Sequence, residues 1–326
     1  MNESAAFSES DKIDTDELVS PSPSASHDPN EEREVVTGLI QHPSKQEQET
    51  AIIRNLSSIS TAAITRQEPV LKVAKICHVG AVRERNEDSC LVFQSEAGGH
   101  FALMPFGLYI VADGMGGHVN GHIASKVASR VAAHNIINKI YMPLLSDEDA
   151  SFQTPIQEVM TAAVQTANAA VFKSDPDNDS GTTLTIALVL GPRLYIAHVG
   201  DSRIYLFNEG KLEPVSTDHS LVQRLQEVGQ MTAEEATIYQ YRHVLLRAVG
   251  QTEQVDVDTY MRRLPKTGRL LLCSDGLPTM IPDARIEEIM AQNKPVEETV
   301  NHLLQVALDA GGYDNITIIL VDFALQ

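Results

Sequence analysis

The chain of 326 residues predicts an α+β domain behind a polar N-terminal tail, and three observations carry that prediction. Apolar runs of strand length follow one another across short glycine turns, which suits antiparallel pairing. Runs with helical spacing come in pairs, two before the central strands and two near the C-terminus, instead of alternating with every strand. Composition shifts near residue 70, where a stretch rich in Ser, Glu, Asp, Gln and Pro gives way to apolar segments.

Residues 1–69 contain Phe7 as their only aromatic, and residues 1–70 hold 13 acids against 5 bases. Such a segment buries too little apolar area to offset its ordering entropy, so 1–69 are expected to be a disordered acidic tail and 70–326 the folded domain. Two apolar patches in the tail, Val35-Val36 with Leu39-Ile40 and Ile52-Ile53 with Leu56, are compatible with transient or docking helices, although an inert tail is the favoured reading.

A first strand is expected over 70–77, then the charged bend Arg83-Glu84-Arg85-Asn86-Glu87-Asp88, then a second strand over 90–93. The apolar run that follows Gly107 ends in Asp113-Gly114-Met115-Gly116-Gly117-His118, where three glycines let the backbone turn tightly and let another group approach it. Helical spacing follows over 122–141, on Ile123, Val127, Val131, Ile136, Ile137 and Ile140, and again over 155–172. A β-meander is expected over 182–207, turning at Gly191-Pro192 and at Gly200-Asp201-Ser202-Arg203. Residues 218–242 are polar and helical in pattern, carry the capping pair Thr232 and Glu235, and read as an insertion. A buried strand over 269–273 ends at Ser274-Asp275-Gly276; helices are expected over 286–290 and 296–308, and a last strand over 316–321 follows Gly311-Gly312-Tyr313-Asp314-Asn315.

Composition excludes several classes of function. A net charge of −19 disfavours nonspecific binding to nucleic acid or anionic membrane. No apolar run approaches the roughly 18 residues of a membrane span, and the N-terminus lacks a signal-peptide pattern, so a cytoplasmic protein is expected. Cys77, Cys90 and Cys273 are too few and scattered for a disulfide framework and form no Cys-x-x-Cys pair, which leaves free thiols as the reading.

What remains is a pattern of acids. Asp113, Asp201, Asp275 and Asp314 each lie next to a glycine or within two residues of one at a strand boundary, and Glu87-Asp88 lies between two strands. Carboxylates at strand ends can converge at one edge of packed sheets, and hard oxygen donors suit Mg²⁺ or Mn²⁺, whereas zinc would call for Cys or His clusters. Five unrelated acidic turns would look the same.

The ordered motifs resemble those of the type 2C metal-dependent serine/threonine protein phosphatases (the PPM family) in their bacterial form. The resemblance runs through Arg83-x-x-Asn86-Glu87-Asp88-Ser89, Asp113-Gly114-Met115-Gly116-Gly117-His118, Ser180-Gly181-Thr182-Thr183 and Gly200-Asp201-Ser202-Arg203. It continues through Asp218-His219-Ser220, Arg247-Ala248-Val249-Gly250, Ser274-Asp275-Gly276-Leu277 and Gly311-Gly312-x-Asp314-Asn315. It implies an αββα sandwich of two mostly antiparallel sheets flanked by helices. It also implies hydrolysis of phosphoserine and phosphothreonine in proteins by a hydroxide held between two Mn²⁺ or Mg²⁺ ions.

The resemblance assigns roles residue by residue. Asp113 would bridge the two ions with the Gly114 carbonyl facing one of them; Glu87 would bind one ion, and Asp275 with Asp314 the other. Asp201 with Asp275 would hold a third, weaker ion, Asp88 would hold metal-bound water, Arg83 would grip the phosphate, and residues 218–242 would form a flap beside the site. Met115 stands where many eukaryotic members carry a histidine general acid, so His118 is the candidate for that role here. The segment Tyr239-Gln240-Tyr241-Arg242-His243 departs from the proline and asparagine common in bacterial relatives. The partners implied are phosphorylated proteins and a serine/threonine kinase, with no nucleic acid or membrane and a monomeric chain. Two other readings remain at this point: a noncatalytic phosphatase-like regulator that binds a kinase or phosphoprotein, and a hydrolase of small phosphorylated metabolites.

Overall fold

The structure is a computed structural model and describes residues 70–96, 104–116, 120–146, 154–174 and 179–325. The tail over 1–69 lies outside the described residues. Among the described residues two five-stranded sheets and a two-stranded ribbon are present.

One sheet has the order β1 (Val70–His78), β12 (Ile316–Ala324), β11 (Thr267–Cys273), β8 (Arg203–Asn208), β9 (Lys211–Pro214). The other runs β10 (Asp258–Arg263), β7 (Arg193–Val199), β6 (Leu184–Leu190), β3 (Phe106–Ala112), β2 (Ser89–Ser95). The ribbon pairs β4 (Gly114–Gly116) with β5 (Ser180–Thr182), and every pairing is antiparallel.

The central strands are apolar throughout because each of their faces has its own core. On β3, Phe106, Leu108 and Ile110 pack against helices, while Tyr109 and Val111 face the other sheet. On β12, Ile318 and Leu320 meet helices, while Ile319, Val321 and Phe323 enter the seam between the sheets. Alternation with period two thus serves two buried faces.

Helices α1 (Gly121–Ile136) and α3 (Ile156–Ser174) cover the β3 sheet, and α6 (Asp283–Ala291) and α7 (Val296–Asp309) cover the β12 sheet. Between α1 and α3 the chain passes through a π-helical turn, Ile137–Tyr141, and the short α2 (Met142–Ser146). This is the αββα sandwich that the sequence implies. Two further helices, α4 (Leu221–Glu227) and α5 (Ala233–Ile238), lie within the expected insertion, and Thr232 and Glu235 form the capping box at the start of α5.

One expectation is sharpened and one needs correction. Of the residues at helical spacing, Ile136 and Ile140 are buried, Val127, Val131 and Ile137 are partly buried against the core and Ile123 is exposed, while the face of α1 buried most deeply is Ala124, Ala128 and Ala132. Small side chains let α1 approach Ala163 and Ala167 of α3 closely, so the bulkier β-branched residues flank the contact. The meander also breaks at Gly200. Strands β6 and β7 form a hairpin, but β8 pairs with β11 and not with β7. Gly200, at φ +112°, turns the chain out of one sheet and into the other, against the side chain of Thr183.

Candidate active site

Antiparallel pairing gathers the predicted acids, because the end of one strand lies beside the start of its neighbour. Ala112 at the end of β3 pairs with Ser89 at the start of β2, which brings Asp113 to Glu87 and Asp88. Cys273 at the end of β11 pairs with Ile318 near the start of β12 and with Arg203 at the start of β8. Asp275, Asp314 and Asp201 therefore reach the same edge. There they line one cleft of about 440 Å³ together with Arg83, Glu87, Asp113 and Gly114.

Local hydrogen bonds hold each acid from behind. The Asp113 amide donates to Thr183 Oγ1 at 2.8 Å, and its carbonyl accepts from the Thr183 amide at 2.8 Å and Thr182 Oγ1 at 2.9 Å. The Gly114 amide donates to the Glu87 carbonyl at 3.2 Å, and a Cβ at Gly114 would run into the carbonyls of Glu87 and Gly121. Glycine is required here by backbone packing. Asn315 ties the charged bend down: its side chain accepts from the Glu87 amide at 2.7 Å and donates to the carbonyls of Val79 and Arg85 at 2.9 and 3.0 Å. Arg83 Nη2 donates to Asp314 Oδ2 at 2.8 Å, and this bond keeps the guanidinium firmly charged.

Asp88 lies behind this layer. Its Oδ2 accepts from Ser274 Oγ at 2.7 Å, while its buried Oδ1 has no protein partner. Burial raises its carboxyl to about 7 against the opposing hydrogen bonds from Ser274 and Thr317. Burial also raises Asp113 and Asp201 well above the usual carboxylate range, with the charges of neighbouring aspartates adding to it. Asp275 is raised by burial and by Asp314, against a hydrogen bond shared with Asp113 and the charges of His243 and Arg83. Left to itself, this cluster holds protons between its carboxylates.

That is the chemistry of a site completed by cations. The donors are all oxygen, mutual repulsion would be relieved by divalent charge, and Asp88 keeps an unmatched acceptor that a water could fill. Among the described residues no three His, Cys, Asp or Glu side chains are grouped tightly enough to hold an ion as they stand, so coordination needs the carboxylates to close in.

His118 lies outside the described residues. The cleft instead shows residues that spacing did not single out for it: Arg242 at the end of the insertion, His243 just after it, and Tyr313 beside Asp314. The signal available was an arginine beside a histidine in a strongly acidic chain. A second cavity of about 490 Å³ continues beneath α4 and α5, between Asp201, Asp275, Asp218 and Gln223.

Under the insertion the charges are matched. Arg203 makes bonds of 2.7 to 3.1 Å to both carboxylate oxygens of Asp218. Asp258 receives Arg247 Nη1 at 2.7 Å and the Tyr260 hydroxyl at 2.8 Å, with His219 Nε2 at 3.2 Å. Burial pushes the Asp258 carboxyl up, but the bonds from Tyr260, His219 and Arg247 outweigh it and pull it to about 2.

Comparison with known proteins agrees with this geometry. Residues 81–312 match the family model described as Protein phosphatase 2C. The serine/threonine phosphatase stp of Listeria welshimeri is 36% identical over 252 residues, covering 74% of this chain and 92% of that protein. The serine/threonine protein phosphatase PstP of Mycobacterium tuberculosis is 36% identical over 254 residues, 78% of this chain and 45% of that protein. A solved catalytic domain of PstP in complex with two manganese ions matches with a TM-score of 0.63 and 35% identity, covering 78% of this chain and 99% of that one.

Proposed function

Because the chain belongs to the protein phosphatase 2C family, we infer that its acidic cleft carries out metal-dependent hydrolysis of phosphoserine and phosphothreonine in proteins. It is a metal-dependent serine/threonine protein phosphatase that uses Mn²⁺ or Mg²⁺. The observation that supports assigning the reaction to this cleft is the convergence of Asp113, Asp201, Asp275, Asp314 and Glu87 at one edge, with burial and neighbouring charge raising the carboxyls of Asp113, Asp201 and Asp275.

We assign Asp113 as the bridge between two ions, with the Gly114 carbonyl beside it, Glu87 to one ion, and Asp275 and Asp314 to the other. Asp201 with Asp275 is assigned to a third ion. When bound, the two ions lower the pKa of a water and neutralise the phosphate dianion. The protein's own part is positioning. Thr182 and Thr183 fix the Asp113 backbone and Asn315 fixes Glu87, so ligand geometry does not have to be organised during the reaction.

We assign Asp88, whose Oδ2 is held by Ser274 and whose buried Oδ1 has no protein partner, to hold a metal-bound water. Arg83, half exposed at the rim, exchanges Asp314 for two phosphate oxygens, for which its planar fork is suited. Residues 70–326 are assigned as the catalytic domain and 218–242 as its flap. No helix among the described residues is long and apolar enough to cross a membrane. We assign the enzyme to the cytoplasm, opposite a serine/threonine kinase whose products it hydrolyses. The test is hydrolysis of a phosphothreonine peptide by the full chain with Mn²⁺ and after chelation. Turnover that persists without metal would sink the assignment.

A further inference from the structure

Cys77 and Cys90 sit on β1 and β2, the edge strands of different sheets, and meet across the seam between them. Cys90 packs against the inter-sheet core, and Cys77 shares a face of β1 with Val73, which does the same. Cys77 Sγ lies 3.7 Å from the carbonyl of Asp88, two residues before Cys90, and the two thiols are close enough to shift each other's protonation in opposite directions. Cys77 is exposed and Cys90 partly buried, whereas Cys273 is fully buried.

The surroundings of Cys77 favour a thiolate. Its sulfur accepts from Thr317 Oγ1 at 3.1 Å and Asn86 Nδ2 at 3.3 Å. The bond from Cys90, aided by these two, pulls the thiol down to about 6 against burial, and Cys90 is pushed up as the donor. An exposed thiolate beside a protonated thiol is the arrangement of an attacking and a resolving cysteine.

The pair also touches the catalytic bend. Asn86 bridges it to the site, with Nδ2 on Cys77 Sγ and Oδ1 accepting the Asp88 amide at 3.0 Å. Cys77 Sγ lies 3.7 Å from the Asp88 carbonyl.

We propose that Cys77 and Cys90 are a peroxide-responsive thiol pair, and that closing them to a disulfide loosens the bend carrying Glu87 and Asp88 and weakens metal binding. The Cys77 thiolate attacks one oxygen of hydrogen peroxide, the O–O bond breaks, and the departing hydroxide leaves as water after taking a proton. The Cys90 thiol then attacks the sulfur of the Cys77 sulfenic acid; the S–O bond breaks and a second water leaves with the Cys90 proton. Two thiols have given two electrons to one peroxide. The disulfide sulfur of Cys77 is a poorer acceptor than the thiolate, so Asn86 loses the bond that fixes its grip on Asp88. The metal half of the proposal rests on the assigned site, and the disulfide half does not.

The experiment treats the full-length reduced chain with hydrogen peroxide, then reads intact mass, the cross-linked peptide and Mn²⁺ affinity by calorimetry. Expected are the loss of two hydrogens, a Cys77–Cys90 cross-link with Cys273 still alkylatable, and Mn²⁺ affinity weaker by about tenfold, the effect of disturbing contacts that orient ligands. Dithiothreitol should restore it, and Cys90→Ser should show neither cross-link nor the reversible loss. Three free thiols after peroxide, a cross-link through Cys273, or a disulfide that leaves Mn²⁺ affinity unchanged would each overturn the proposal. A reduced chain that binds no Mn²⁺ overturns the assigned site instead, and mass alone then decides on the thiol pair.

Discussion

Asp275 and Asp258 are both partly buried aspartates, yet their neighbours move their carboxyls in opposite directions. Asp275 is raised by burial and the charge of Asp314, in a cleft where acids outnumber bases. Asp258 is pulled to about 2, because Tyr260, His219 and Arg247 all donate to it. One set of carboxylates is matched by the protein itself; the other is left for something from outside to match. The contrast separates a structural cluster from a functional one in a chain that is acidic everywhere.

The strongest way to break that contrast is Asp113→Asn. If Asp113 is held for cations, its loss should cut hydrolysis of a phosphothreonine peptide by at least about 10³-fold, the scale of removing a charge that organises the reacting groups. In chelator the same variant should melt no lower than the parent, because a repulsive carboxylate has gone. Wild-type turnover, or a large drop in melting temperature without metal, would place Asp113 with the structural acids.

His198 tests the matched side. It is fully buried, with Nδ1 facing Thr185 Oγ1 at 2.9 Å and Nε2 facing the Thr217 carbonyl at 3.1 Å. Burial, reinforced by the charge of His219, pulls it from 6.5 to about 3. A base whose folded pKa is depressed contributes stability that is complete above the unfolded value and is lost as pH falls towards the folded one. The fold should therefore lose on the order of 3 kcal/mol from this residue by pH 4. Urea midpoints between pH 4 and 7 should fall less steeply for His198→Gln than for the parent. Parallel slopes would mean that His198 is protonated in the fold.

Much of this arrangement was legible before the structure, and the reason is geometric. Acids beside glycine turns at strand boundaries mark chain reversals, and antiparallel pairing puts such reversals at a common edge. Asp113, Asp275 and Asp314 could be found because each follows or precedes an unmistakable apolar strand. The alanine face of α1 was not legible, since close helix contact selects alanine while periodicity counts isoleucine and valine. The passage of β8 into the other sheet at Gly200 was not legible either, because a glycine turn looks the same whether it closes a hairpin or changes sheets. Strand β10 was hidden by its charges. It is an edge strand, and Asp258 on it is fixed by residues distant in sequence, for which no local pattern exists.

Asp258→Asn should show a smaller effect of the opposite kind to Asp113→Asn. It leaves Arg247 and His219 without their anion, so stability should fall by about 1–2 kcal/mol, a value kept low because the site is partly open to solvent. Turnover at saturating Mn²⁺ should stay within about threefold of the parent, since Asp258 does not line the metal cleft. A catalytic collapse with unchanged denaturation would move Asp258 into the functional set.

The smallest expected effect belongs to Asp201→Ala, and it sharpens the boundary between the two sets. Asp201 sits at the turn where the chain changes sheets, lines both the acidic cleft and the cavity beneath α4 and α5, and is raised by burial and then by Asp275 and Asp218, against the pull of Arg203. It is therefore a cleft acid within electrostatic reach of both the functional and the matched clusters. Under the proposed assignment, removing it would take a ligand from a third ion and none from the principal pair. Calorimetric titration with Mn²⁺ should show a weakened low-affinity phase and an unchanged high-affinity one. Turnover at saturating Mn²⁺ should change by less than about threefold, as expected when a residue outside the principal ligand set is lost. Loss of the high-affinity phase would make Asp201 a principal ligand, whereas an unaltered titration would assign it to the matched charges around Arg203.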